Sequence, residues 1–163
     1  MKLSSANRLP LKEGQCLCLI EVMLEQFPPD VQLQPSTHGW VAELPCHRGS
    51  FLGHSVSLRI DTSNAPNGVL PRHPNPVDIA LAMQVLKDLP QLLREAENQF
   101  RAYYAGHDQD AVRSIRDPHV WINSEFIEGG THWAFVIGSV EAPDYGLHIE
   151  FDGESCIDCW GGD

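Results

Sequence analysis

The side chains best able to do chemistry lie near the C-terminus and are of three types: imidazoles, carboxylates and indoles. Imidazole and carboxylate groups bind metal ions or act as a general acid and base, whereas exposed indoles anchor protein interfaces. The same set is also compatible with a solvated sheet face that binds nothing. The candidate site residues are Trp121, Glu125, His132, His148, Glu150, Asp158 and Trp160.

Strand alternation predicts that these candidates share one side of a sheet. Leu147 points to one face and His148 and Glu150 to the other, because successive side chains of a strand alternate. A three-residue turn at 152–154 keeps the apolar side chains together and places Asp158 opposite His148. A two-residue turn is the alternative. The same alternation directs His132 and Trp160 to the polar side. The core set of the strand at 119–127 is less clear. If Val120, Ile122 and Phe126 point inward, Trp121 and Glu125 point outward with the other candidates.

The charge of the chain is strongly asymmetric. The 163 residues carry a net charge of −11, and residues 101–163 hold 3 basic against 12 acidic side chains. From Asp117 to the C-terminus there is no Lys or Arg at all. Such a surface repels phosphate groups, so we expect no nucleic-acid ligand. It suits a basic protein partner or a cation instead.

One Cys-x-x-Cys motif, Cys156 to Cys159, falls within a predicted strand. Positions three apart in a regular strand face opposite ways, so the two thiols are not expected to converge on a metal ion. The other pair, Cys16 and Cys18, lies at the far end of the chain. We therefore expect no metal and no cofactor, and the odd number of cysteines favours reduced thiols.

A long helix is predicted between two groups of strands. Asn75 is a good N-cap, Pro76 suits the first turn, and Gly106 can end the helix after Ala105. Pro90 lies in its middle and must either kink the helix or divide it.

Four short strands after the helix, joined by short connections, predict an antiparallel meander. One or two earlier strands are predicted within residues 39–45 and 52–61. The fold class is therefore α+β, in one domain over residues 1–163, with an antiparallel sheet packed against a long Pro-kinked helix.

Three segments are less regular. Residues 1–14 read as a loose lead-in, and residues 62–75, rich in Pro and Asn, read as a loop. Residues 15–27 have the apolar spacing of a helix, although a short strand is compatible with the same composition.

The segment Phe51–Val56, the long helix and the ending His148–Gly153 with Asp158 and Trp160 resemble uncharacterised bacterial domains of unknown function. The resemblance covers roughly residues 51–160 and implies no activity.

These observations lead to an expected function and location. We expect a small cytoplasmic protein, since no secretory signal and no membrane-spanning run is visible. The first hypothesis is a non-catalytic, immunity- or antitoxin-like module that binds a basic protein through its acidic sheet. The rival hypothesis is a metal-dependent or acid/base enzyme that uses His132, His148, Glu150 and Asp158. The oligomeric state does not follow from the sequence.

Overall fold

In the part of the chain that the structure describes, a seven-stranded sheet lies with one long helix and shorter helical segments. The computed structural model describes residues 21–62, 73–123 and 131–162. The strands lie side by side in chain order, which confirms the predicted α+β class. They are β1 (Gln34–Pro35), β2 (Gly39–Glu43), β3 (Ser57–Asp61), β4 (Ile115–Ile122), β5 (His132–Ser139), β6 (Gly146–Asp152) and β7 (Ser155–Gly162), and the helices after β3 are α1 (Pro76–Tyr103) and α2 (Asp108–Ser114).

One pair of strands departs from the predicted antiparallel arrangement. Strands β3 and β4 pair in parallel, whereas every other neighbouring pair of the seven is antiparallel. A parallel pair requires a long crossover, and α1 with α2 supplies it. The crossover brings the strands that precede the helix next to those that follow it.

The start of α1 follows its local sequence. The Asn75 side chain accepts a hydrogen bond of 3.0 Å from the backbone N–H of Val77, and Pro76 occupies the first helical position. This cap satisfies a donor that the helix itself leaves unpaired. The helix runs through Pro90 as one element and ends at Tyr103, so the proline does not divide it.

The core lies between α1 and one face of the sheet. Leu58, Val120, Phe135 and Ile149 are fully buried on consecutive strands β3 to β6. Phe51 packs between two aromatic rings, with centroid distances of 5.6 Å to Phe100 of α1 and 4.9 Å to Phe135. Burying each such side chain stabilises the fold by roughly 1.5–3 kcal/mol, so this layer fixes which sheet face packs against α1 and which lies outside the core.

Gly39 allows β2 to approach β3 closely. Its φ is +151°, and a Cβ there would lie 2.1 Å from the carbonyl oxygen of Ile60. A side chain at this position would therefore clash with backbone, which cannot move without opening the strand pair.

Several segment boundaries differ from the sequence prediction. Strand β3 begins only at Ser57, because Phe51 and His54 bond to each other in a tight turn. The alternating pattern predicts the next strand from His119, whereas β4 begins at Ile115, directly after α2. Residues 21–25 are helical, which supports the helical reading of that part of 15–27.

Some predictions lie outside the described residues: the lead-in at 1–14, most of the loop at 62–75, and Glu125. Among the described helices, none is both long and apolar enough to cross a membrane.

Candidate binding face

The sheet face opposite α1, here called the outer face, carries the candidate residues. Strand register aligns its side chains in two rows that run across β3 to β7. The first row is Arg59, Trp121, Ala134, Glu150 and Asp158, and the second is Ser57, His119, Val136, His148 and Trp160.

The register of β7 differs from the preferred prediction. Asp152 pairs with Ser155 across a two-residue turn, and Asp158 lies opposite Glu150 rather than opposite His148. A two-residue turn alone would turn Asp158 towards the core. A bulge that leaves Ile157 without a partner on β6 prevents this, because one extra residue reverses the alternation beyond it.

Trp160 is held in place by two contacts on the outer face. Its ring stacks on the imidazole of His148, with centroids 4.3 Å apart and planes 5° apart. Its indole N–H donates a 2.8 Å hydrogen bond to Glu150 Oε1. The side chain nevertheless remains 38% exposed. The indole of Trp160 is thus an ordered and partly exposed aromatic surface whose N–H group already has a hydrogen-bond acceptor.

Burial affects the charge of His148. Partial burial lowers the pKa of His148 below its ordinary value, and the Glu150 carboxylate acts in the opposite direction. The imidazole is therefore neutral at pH 7, which suits it to stacking against the indole.

His132 lies at another end of the outer face. It pairs with Asp152, and its Nε2 is 3.5 Å from Asp152 Oδ2. His148 lies opposite Val136, four residues further along β5, so the two imidazoles are separated by about 13 Å of strand. They cannot share one metal ion, because Zn–N distances are about 2 Å.

Thr131 contributes to the end of the sheet that carries His132. Its hydroxyl donates a 2.6 Å hydrogen bond to Asp152, which is the main reason why the pKa of Asp152 is lowered. Across the described part of the chain, no group of three or more His, Cys, Asp or Glu side chains is arranged to hold a metal ion.

Arg59 brings a positive charge to the outer face that the C-terminal sequence lacks. Its guanidinium donates to the carboxylate of Asp117. The contact depends on the parallel pairing of β3 with β4, which joins segments far apart in sequence. Alternation along β3 alone indicates that Arg59 and Asp61 lie on the same face. That Trp121 lies on this face too follows only from the pairing of β3 with β4.

His119 lies in the second row next to the Arg59–Asp117 pair. Its Nδ1 donates to the carbonyl oxygen of Asp117 at 2.8 Å, which fixes the neutral tautomer. Burial is the largest cause that lowers its pKa to about 4, and Arg59 and His148 add to it. The hydrogen bond to Asp117 opposes the shift.

A cavity of about 400 Å³ opens beside His119 and Arg59. Trp121, Asp61 and the connection 36–39 between β1 and β2 contribute to its walls. The walls of this cavity come from separate strands and one turn, so no local pattern in the sequence predicts it.

The thiols of Cys156 and Cys159 lie on the helix side of the sheet, and both pack against the core. The prediction that they face opposite ways is wrong, since the bulge at Ile157 puts both on one face. Burial raises the pKa of both thiols, to about 11 for Cys159. They are protonated at neutral pH and serve as small apolar side chains.

Six of the seven candidate residues are described, and all six lie on the outer face. Trp160, His148, Glu150 and Asp158 form one contiguous group on β6 and β7, here called the acidic edge group. Trp121 lies two strands away in the Glu150 row, and His132 lies apart with Asp152. Comparisons with protein-family models, curated proteins and solved structures return no match.

Proposed function

We propose that this chain is a non-catalytic module that binds a basic protein through the acidic edge group. The observation that carries the proposal is the state of Trp160: ordered by His148 and Glu150, yet 38% exposed beside two carboxylates. A large aromatic ring that is already ordered loses little conformational entropy when a partner covers it. Tryptophan is also among the residues that contribute most binding energy at protein interfaces.

Charge supports a basic partner. Glu150 and Asp158 lie directly opposite each other, and no Lys or Arg occurs from Asp117 onwards. Two adjacent carboxylates repel each other in the free protein, so a partner cation relieves an unfavourable contact as well as forming a favourable one. An immunity- or antitoxin-like inhibitor of a basic toxin is one class of protein that this surface suits.

The geometry does not favour the enzymatic alternative. A joint site of His132, His148, Glu150 and Asp158 would need both imidazoles within reach of one ion or one substrate atom. His132 instead pairs with Asp152, about 13 Å along the strand from His148. We therefore propose the interface on the acidic edge group alone.

The test is partner capture followed by affinity measurement. The protein is immobilised, proteins retained from lysate of the source organism are identified, and the purified partner is titrated by calorimetry. Glu150→Lys and Asp158→Lys are each expected to weaken binding about tenfold or more. Glu141→Lys is the matched control, since it makes the same charge change at an exposed site outside the group. Equal losses in all three variants would reject the proposed surface and indicate only long-range charge attraction.

A further inference from the structure

Among the strands that the structure describes, β7 lies at the end of the sheet and has one edge free. It spans eight residues, Ser155–Gly162, and no described strand pairs with its outer side. The opposite edge strand, β1, has only two residues. A strand edge exposes unpaired N–H and C=O groups to which another extended chain can add.

The usual protection of a free edge is sparse in β7. Proteins blunt such edges with charged side chains, above all Lys, or with Pro, very short strands or bulges. The one charged residue of β7 is Asp158. The sequence of β7 has neither Lys nor Pro, and its bulge at Ile157 leaves the stretch 158–162 regular. An added strand of about five residues could therefore pair with this stretch.

The carboxylate of Asp158 is hydrogen-bonded to one backbone N–H of this edge. Its Oδ1 accepts a 2.8 Å hydrogen bond from the backbone N–H of Cys159. Along an antiparallel strand, the N–H groups point alternately to one neighbour and away from it. The side-chain bond to Asp158 assigns the N–H of Cys159 to the set that points away from β6, to the free side. The carboxylate therefore occupies the position that the carbonyl group of an added strand would take.

We propose that the partner adds an extended basic segment to β7 as an eighth strand, and that Asp158 binds a basic side chain of this segment. This inference rests on the proposed function and names the form of the partner. A Lys or Arg opposite Asp158 draws the carboxylate away from the N–H of Cys159. The N–H is then free to bond to the incoming backbone, so charge recognition and strand pairing are coupled.

The position of Trp160 extends the recognition pattern. Trp160 follows Asp158 by two residues on the same face, so an added strand meets both through alternate side chains. An antiparallel strand, the commoner and slightly more stable pairing, would carry an apolar residue opposite Trp160. Two positions later it would carry Lys or Arg opposite Asp158.

The test uses a defined peptide, acetyl-Thr-Val-Thr-Lys-Thr-amide, and the full chain. Titration is followed by backbone amide NMR, and the amides of Cys159 and Gly161 are expected to shift. N-methylation of the central Thr should weaken binding about tenfold, because that N–H points to Cys159. N-methylation of the Lys should change affinity less than about twofold, since its N–H points to solvent.

A charge exchange provides the matched control. Asp158→Lys should no longer bind the Lys peptide and should bind the peptide in which Glu replaces Lys. Glu141→Lys should bind both peptides as the wild type does. Equal affinity of the two N-methylated peptides, or no shift at Cys159, would overturn strand addition. A dimer of the free chain in sedimentation, abolished by Asp158→Lys, would overturn it too, because a second copy would then occupy the edge.

These outcomes separate the two proposals. If Trp160 and Glu150 variants weaken the captured partner but the peptide fails, the binding face stands and strand addition does not. If the face variants leave the captured partner unaffected, the proposed function itself fails.

Discussion

His148 and Trp160 are cross-strand neighbours on β6 and β7 whose rings stack in parallel, 4.3 Å apart and 5° from coplanar. The pair forms only because the bulge at Ile157 returns Trp160 to the outer face. Imidazole burial keeps His148 neutral and apolar enough to support the ring, and Glu150 fixes the indole N–H. Strand geometry, protonation state and surface shape are thus linked at one position.

Replacing Trp160 with Ala should affect binding far more than stability. We expect affinity for the captured partner to fall by about 2 kcal/mol, roughly thirtyfold, as for other interface tryptophans. The free energy of unfolding should change by less than about 1 kcal/mol, because the side chain is already 38% exposed. Calorimetric titration and urea denaturation measure the two quantities. Val140→Ala, at a 59% exposed site outside the group, should change neither.

The stack itself can be tested through the indole NMR signal of Trp160. His148→Ala removes the ring current and the support, so the Trp160 indole N–H resonance should move, and partner affinity should fall about threefold to tenfold. His148→Phe keeps an aromatic ring and should retain most of the affinity. An unchanged resonance in His148→Ala would show that the rings do not stack in solution.

Gly39→Ala should destabilise the fold by about 2 kcal/mol or more. The added Cβ would lie 2.1 Å from the carbonyl oxygen of Ile60, so the β2–β3 pair must open. Gly53→Ala is the matched control, because Gly53 also has positive φ, +88°, but a Cβ added there would meet no atom within 4 Å. It should cost only about 1 kcal/mol of backbone strain. Similar losses of unfolding free energy in both variants would exclude the close approach as the cause.

The sequence was sufficient for the elements that depend on local pattern. Asn75 and Pro76 mark the start of α1, and the alternation around His148 and Glu150 correctly assigns their face. Contacts between segments that lie far apart in the sequence could not be predicted from local pattern. The contact between Arg59 and Asp117 requires β3 to lie beside β4, and neither segment carries a signal for that neighbour.

The bulge at Ile157 limited the prediction in a different way. One residue more or less in a short turn moves every following side chain to the other sheet face. A bulge later in the strand adds one residue and reverses this change, so a longer turn and a shorter turn with a bulge put Asp158 on the same face. The preferred three-residue turn put Asp158 on the correct face but opposite the wrong residue. It also made the two cysteines diverge, whereas the bulge brings both to the helix side.

Cysteine reactivity should reflect this arrangement. Cys46 is exposed, whereas Cys156 and Cys159 are partly buried and have raised pKa values, about 11 for Cys159. Since the thiolate is the reactive form, iodoacetamide at about pH 7.5 should modify Cys46 at least about tenfold faster than Cys159. Peptide mass spectrometry over time gives the rates. Rapid modification of Cys159 in the folded protein would contradict its placement against the core.

Stability should fall in mild acid because of His119. Its pKa is about 4 in the folded chain against an ordinary 6.5, so between these values the unfolded chain binds more protons. The contribution of neutral His119 is complete above pH 6.5 and is lost as pH falls towards 4, at up to about 1 kcal/mol per pH unit. In His119→Gln the free energy of unfolding, measured by urea denaturation from about pH 7.5 to about 4.5, should depend less steeply on pH. Identical slopes in the variant and the wild type would mean that other groups cause the acid sensitivity. A parallel His38→Gln series, at an exposed histidine, serves as the control.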